Sequence, residues 1–133
     1  MHDKTILVID DNPFILHLVR DILRKSGYQT LVSGTGMGGI KLALDKQPDL
    51  IILDRKLRDV SGHHVLEAIK QDKRARDIPV TMLSSVNTRQ EILRSWTLGA
   101  NDYIVKPFKI HTLLDKVHRL VGASGRDERY YFI

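Results

Sequence analysis

Short apolar runs recur along the chain, and after each one apolar residues return every three or four positions. Lys4 to Ile9 is short, branched and apolar and predicts a buried strand. Asn12 then serves as an N-cap with Pro13 at the first helical position. Phe14, Ile15, Leu18, Val19, Ile22 and Leu23 follow at helical spacing, and Gly27 is the stop. Tyr28 to Ser33 predicts a second strand. Ile40, Leu42, Ala43 and Leu44 lie in a second helix that ends before Pro48. Leu50 to Leu53 is again wholly apolar, and the polar loop from Asp54 to Gly62 leads to a third helix with Val65, Leu66 and Ile69. Pro79 opens a strand from Val80 to Leu83. Thr88 or Asn87 caps a fourth helix that runs to Leu98, and Gly99 stops it. Tyr103 to Val105 is the last strand, and Leu113, Leu114, Val117, Leu120 and Val121 mark a final amphipathic helix.

Five strands alternating with five helices predict an α/β domain around a parallel sheet. Strands apolar on both faces agree, because helices cover both sides of such a sheet. The expected architecture is doubly wound and flavodoxin-like, with strand order 2-1-3-4-5.

Composition narrows the function more than the fold. The 133 residues suit one domain, and 42% hydrophobic with 28% charged residues is globular. With no cysteine, a disulfide scaffold, a thiolate zinc site, an iron–sulfur centre and a cysteine nucleophile are all excluded. The apolar runs are too short to span a bilayer. Met1-His2-Asp3-Lys4 leads into a strand without a signal-peptide pattern, so a cytoplasmic domain with no membrane partner is expected. The net charge is +5, yet no block of five or more basic residues occurs. The richest stretches, Arg55-Lys56-Leu57-Arg58 and Lys70 to Arg76, carry no interleaved aromatic residue and read as solvated faces, not as a nucleic-acid surface. His2, His17, His63, His64, His111 and His118 lack metal-motif spacing and read as surface or cap residues.

Chemistry gathers where the strands end. The first runs into Asp10-Asp11, the third into Asp54, the fourth into Ser84-Ser85 and the fifth into Lys106-Pro107. Open α/β sheets bind ligands outside the carboxyl ends of their strands, at the switch point between strands one and three. Three carboxylates brought together there repel unless a cation sits among them, and hard oxygen donors suit Mg²⁺. Lys106 neutralises an arriving anion and Ser84 donates a hydrogen bond to it. This set is suited to accepting a phosphoryl group, a reaction governed by positioning and charge neutralisation.

Those pieces (Leu7-Val8-Ile9-Asp10-Asp11, Ile52-Leu53-Asp54 with Gly62 after it, Ser84-Ser85, and Tyr103-Ile104-Val105-Lys106-Pro107-Phe108) resemble the receiver domains of two-component response regulators. The likeness covers residues 4–121 and leaves 122–133 as a tail or the start of a linker. It implies that Asp54 is the phosphoacceptor, taking the group from phosphohistidine on a sensor kinase or phosphotransfer domain. It further implies that Asp11 binds Mg²⁺ directly, that Asp10 acts largely through water, and that the Lys56 backbone carbonyl completes the protein ligands. Ser84 matches the switch hydroxyl, Lys106 the lysine that pairs with the phosphoryl group, and Tyr103 the aromatic that swings inward. The Lys106–Pro107 peptide is typically cis in this family. Such a domain phosphorylates itself as a signalling switch without turning over a substrate. The face formed by helix four, strand five and helix five is where receivers dimerise or meet a downstream target or output domain.

Two departures stand beside the match. Arg58 occupies the place where the family usually has proline, and Arg55 and Lys56 put two cations next to the acceptor. Lys56 is expected to pair with the acidic cluster at rest and to slow hydrolysis of the acyl phosphate. Rival readings also exist. Gly34-Thr35-Gly36-Met37-Gly38-Gly39 matches G-x-G-x-x-G, and Asp54 lies 20 residues beyond Gly34. That nucleotide-binding reading is weakened because the motif follows the second strand, and the blander one is a Gly-rich turn into a helix. An Asp-nucleophile phosphatase needs a second Asp where Asn12 stands. A phosphorylation-independent interaction module is the remaining alternative. On helix four, Ile92, Leu93, Trp96 and Leu98 offer either a partner surface or ordinary core, with the two held even. The tail ends Tyr130-Tyr131-Phe132-Ile133, an apolar terminus suited to docking on the domain or a partner, or to starting a further domain.

Overall fold

The computed structural model describes residues 4–122, so the apolar end of the tail lies outside the described residues. Strands and helices alternate: β1 (Thr5–Ile9), α1 (Pro13–Lys25), β2 (Gln29–Ser33), α2 (Gly36–Lys46), β3 (Leu50–Leu53), α3 (Gly62–Gln71), β4 (Val80–Ser84), α4 (Arg89–Thr97), β5 (Asp102–Val105) and α5 (Ile110–Val121). All strands are parallel in the order β2-β1-β3-β4-β5. The expected doubly wound sheet is therefore the fold of this chain. The Lys106–Pro107 peptide is cis.

Alternation of side chains along each strand divides the core into two layers. Ile6, Val8, Leu50, Ile52, Leu83 and Ile104 pack with α1 and α5. Their chain neighbours Leu7, Ile9, Ile51, Leu53 and Met82 point the other way, into the layer under α2, α3 and α4. β1 and β3 are buried on both faces, which is why they read as unbroken apolar runs.

Helix ends follow local chemistry. Asn12 accepts from the Phe14 and Ile15 amides, Ser61 from His64, and Thr88 from Glu91, each satisfying orphan donors of a first turn. Four strand boundaries shift by one residue: β1 starts at Thr5, β2 at Gln29 and β5 at Asp102, and β4 includes Ser84.

α1 departs from the expected stripe. Its buried residues are Leu16, Val19, Ile22 and Leu23, while Phe14 is 72% and Leu18 36% exposed. Phe14, Ile15, Leu16, Leu18 and Val19 make the first turns apolar nearly all round, so spacing alone does not select the inward face.

Candidate functional site: an acidic cluster at the switch point

The register of β1 against β3 pairs Ile9 with Leu53, so Asp10 and Asp54 leave the sheet side by side. The Asp54 amide donates to the Ile9 carbonyl at 2.9 Å, and the Asp10 amide to Ser33 at 3.1 Å. The peptides carrying both carboxylates are thus still held by sheet-like hydrogen bonds. One strand further over, the Lys106 amide donates to the Ser84 carbonyl at 2.8 Å. Residues scattered along 97 positions of sequence come together at one edge.

Asp10, Asp11 and Asp54 each offer a carboxylate oxygen, and these oxygens lie within 4.8 Å of one another. Asp10 and Asp54 are buried and Asp11 half-buried. The Lys106 ammonium stands 2.8 Å from Asp10 Oδ2 and 3.5 Å from Asp54 Oδ2. Lys106 is the one buried cation at the cluster, and even with Arg58 at its exposed rim three carboxylates leave excess negative charge. Burial, then the Asp10 charge, push the Asp54 carboxyl up to about 6, against the opposing pull of Lys106 and the Lys56 amide. A carboxylate held this way is poorly compensated, and a divalent cation would relieve it. Small, hard oxygen donors with one open side fit Mg²⁺.

Two loops set the approach. Asp10 Oδ1 accepts from the Asn12 amide at 2.9 Å, and Asp54 Oδ1 from the Lys56 amide at 3.3 Å, so each carboxylate is oriented by the turn that follows it. Gly62 is required by contact: a Cβ there would run into the Asp54 carbonyl and lie 2.7 Å from Arg55 Cα. Its amide donates to the Arg55 carbonyl at 2.8 Å, pinning α3 to the acceptor loop. Ser84 is buried, and its hydroxyl accepts from the Val86 amide at 3.1 Å. The Tyr103 ring lies inward, only 8% exposed, with its hydroxyl donating to the Val86 carbonyl.

Two expectations about cations and one about histidine need correction. Lys56 forms no ion pair with the acidic cluster; its side chain is exposed, and Arg58 reaches Asp11 instead, Nε to Oδ2 at 3.6 Å. The loop turns so that its fourth residue, not its second, folds back over the carboxylates. Arg58 is 88% exposed, so this pair contributes little to stability. Arg55 turns away from the acceptor to Glu91, Nε to Oε1 at 2.9 Å. His63 is not at the surface: it is 8% exposed, and its Nε2 lies 2.8 Å from Glu91 Oε2 and 3.2 Å from Ser95 Oγ. Sequence reasoning missed this network because Glu91 is 36 residues from Arg55 and 28 from His63. The only local signals were Thr88-x-x-Glu91, a capping spacing, and the i, i+4 pair Glu91 and Ser95.

The glycine-rich turn has other duties. The Gly36 and Met37 amides donate to the Asp59 carboxylate at 2.9 and 3.0 Å, and Gly38 to Thr35 Oγ1 at 3.0 Å. The N-terminus of α2 therefore has its donors taken by the protein itself, which leaves little for a pyrophosphate. A Cβ at Gly36 would meet Val65 Cγ2 at 2.9 Å, and one at Gly39 would meet Ile9 Cγ1 at 2.7 Å, so close packing accounts for both.

On α4, Leu93 and Trp96 are 51% and 56% exposed, while Ile92 and Leu98 pack against the core. The core reading of Trp96 thus gives way to the surface one. Val105 on β5 and Ile110 on α5 are exposed as well.

Residues 6–118 match the family model described as "Response regulator receiver domain". The chain belongs to that family. Receiver domains are signalling switches rather than classical enzymes, and the family typically binds Mg²⁺ at an acidic pocket. Over 121 residues the chain is 39% identical to the DNA-binding dual master transcriptional regulator RpaA of Synechocystis sp., covering 91% of this chain and 50% of that protein. It is 30% identical to the polar-differentiation response regulator DivK of Brucella ovis, covering 91% of this chain and 98% of DivK. This receiver thus spans about half the length of the first relative and nearly all of the second. Among solved structures, the receiver domain of a sensor histidine kinase from Pseudomonas aeruginosa superposes with a TM-score of 0.84 at 25% identity, covering 92% of this chain and 100% of that one. That structure holds a magnesium ion coordinated in its active-site cleft. A CheY-like receiver from Methanospirillum hungatei superposes with a TM-score of 0.82 at 28% identity, covering 89% of this chain and 93% of that one. No helix among the described residues is long and apolar enough to cross a membrane.

Proposed function

We propose that this receiver takes a phosphoryl group from phosphohistidine onto Asp54 and uses the added charge to switch a protein-binding face. The observation that carries the reading is the meeting of Asp10, Asp11 and Asp54 within 4.8 Å beside Lys106. The donor set supports Mg²⁺ held by Asp10, Asp11, Asp54 and the Lys56 backbone carbonyl. Bound there, the ion would neutralise charge on the transferring oxygens.

The chain's own residues supply the remainder. An Asp54 carboxylate oxygen attacks phosphorus, the P–N bond to the donor imidazole breaks, and the electron pair leaves with the imidazole nitrogen, which takes up a proton. The product is an aspartyl phosphate, an acyl phosphate that water later cleaves. Lys106, already placed between Asp10 and Asp54, pairs with the new anion. Ser84 gives up the Val86 amide and donates its hydroxyl to a phosphoryl oxygen. Tyr103 shares the Val86 segment with Ser84, so a move of that segment changes the tyrosine's hydrogen bond to the Val86 carbonyl.

The resulting signal is read on α4, β5 and α5, where Leu93, Trp96, Val105 and Ile110 are exposed. Partners of this kind are a histidine kinase or phosphotransfer domain upstream and a downstream target, output domain or second copy on that face. Residues 4–121 form the switching unit.

The chemistry has a direct signature. After treatment with acetyl phosphate and Mg²⁺, hydroxylamine should remove the phosphoryl group and mark Asp54 as a hydroxamate in peptide mapping. A phosphoryl group that resists hydroxylamine would be a phosphoester elsewhere, and the reading would fall.

A further inference from the structure

The buried network around Glu91 sits next to the acceptor and is not used by the chemistry above. Glu91 is 6% exposed, His63 8% and Ser95 fully buried. Ser95 Oγ donates to Glu91 Oε2 at 2.9 Å and Arg55 Nε to Oε1 at 2.9 Å. An ionised carboxylate only accepts, so His63 Nε2 carries the hydrogen in its 2.8 Å bond to the same oxygen. Burial opposes the charge on Glu91, but the donors from Arg55, Ser95 and His63 outweigh it and hold the carboxyl below its ordinary value.

Arg55 is the unusual member. Its carbonyl accepts from the first residue of α3, its guanidinium is bonded to the first turn of α4, and its amide follows the acceptor directly. Its side chain is one-third exposed. The other cation beside the acceptor, Lys56, points to solvent. Glu91 and Ser95 form the inward stripe of α4, and Leu93 and Trp96 the outward one. A change at Glu91 therefore acts on the helix that carries the proposed docking face.

We infer that Arg55 is a positioning residue shared between two anions, Glu91 at rest and the phosphoryl group on Asp54 after transfer, and that this competition links the acceptor to α4. The inference rests on the proposed acceptor role of Asp54. Phosphorylation adds about one further negative charge and three strong acceptor oxygens beside Arg55. Drawing the guanidinium away leaves Glu91 with only His63 and Ser95, which loosens the first turn of α4 from the acceptor loop. Coupling of this kind is reciprocal: weakening the hold of Glu91 on Arg55, with Arg55 itself retained, should tighten binding at Asp54.

Beryllofluoride with Mg²⁺, a non-covalent stand-in for the phosphoryl group, tests this by titration. Glu91→Gln should bind it about fivefold or more tightly than the unaltered chain, and Arg55→Gln correspondingly more weakly. In the Arg55→Gln background, Glu91→Gln should have no further effect, an outcome that a purely structural Glu91 would not produce. Unchanged affinity in Glu91→Gln, or a gain that persists without Arg55, overturns the inference. Because the variants can lose fold, the Arg55 Nε–H resonance is followed in the unaltered protein: it should move on saturation with beryllofluoride, and an unmoved resonance also overturns the inference. If beryllofluoride and Mg²⁺ do not bind the unaltered chain at all, the acceptor reading itself has failed, and this one falls with it.

Discussion

Asp54 and Arg55 are neighbours in the chain and belong to opposite kinds of buried charge. Asp54 lies among carboxylates with a single lysine between them, and its carboxyl is pushed up to about 6. Thirty-six residues from Arg55, Glu91 is equally buried but receives three donors, and its carboxyl is held low. Both are carboxylates taken out of water, a costly step unless they are partnered. One has been satisfied by the fold and the other left to be satisfied by something that binds. Reactive capacity sits where the fold leaves charge unresolved, whereas at rest the neighbouring carboxylate has its donors supplied by the fold.

That contrast is breakable from the satisfied side. Glu91→Ala strips the acceptor from Arg55, His63 and Ser95 at once and should cost about 3 kcal/mol in urea unfolding, with Glu91→Gln costing visibly less because it keeps a hydrogen-bond acceptor. On the unsatisfied side, Lys106→Ala should slow formation of the aspartyl phosphate from acetyl phosphate by roughly a hundredfold, the usual consequence of removing one stabilising donor. In metal-free buffer it should also lower stability, since Asp10 and Asp54 would lose the lysine between them and keep only backbone donors.

A third test uses the sign of the Asp54 shift. The folded carboxyl titrates near 6 and the unfolded one near 3.8, so the folded chain binds this proton more tightly. Ionised Asp54 therefore opposes folding: the cost is absent below about pH 4, grows through pH 6 and is complete above it. In metal-free buffer, Asp54→Asn should be more stable than the unaltered chain at pH 8 by about 1–2 kcal/mol, a figure discounted for solvent at the open rim. The gain should vanish by pH 3.5. A stability difference that stays constant across that range would show that Asp54 carries no strain. Smallest of all, Trp96→Ala should change stability by less than about 0.5 kcal/mol, as expected for an exposed position, while any partner that docks on α4 should lose affinity.

Legibility in the sequence follows the same divide. The sheet was readable because a strand covered on both faces has no polar residues to break its pattern, as in Leu50 to Leu53. The acidic cluster was readable because parallel strands deliver whatever follows them to one edge, so Asp10, Asp54 and Lys106 were placed by topology alone. What depended on side-chain direction was not readable. Lys56 and Arg58 are two positions apart in one loop, and only the folded loop decides which of them meets Asp11. His63 looked like one more polar residue on α3 because its partner Glu91 lies beyond an intervening strand. Phe14 and Leu16 are indistinguishable in a turn that is apolar all round, yet one is exposed and the other buried.

The central claim is that Asp54 accepts a phosphoryl group in a site completed by Mg²⁺. Intact mass after incubation with acetyl phosphate, with and without Mg²⁺, measures it on the unaltered chain and on Asp54→Asn. The account predicts one added phosphoryl group that requires both Mg²⁺ and Asp54. An adduct that persists in Asp54→Asn, or no adduct on the unaltered chain with Mg²⁺ present, would contradict it.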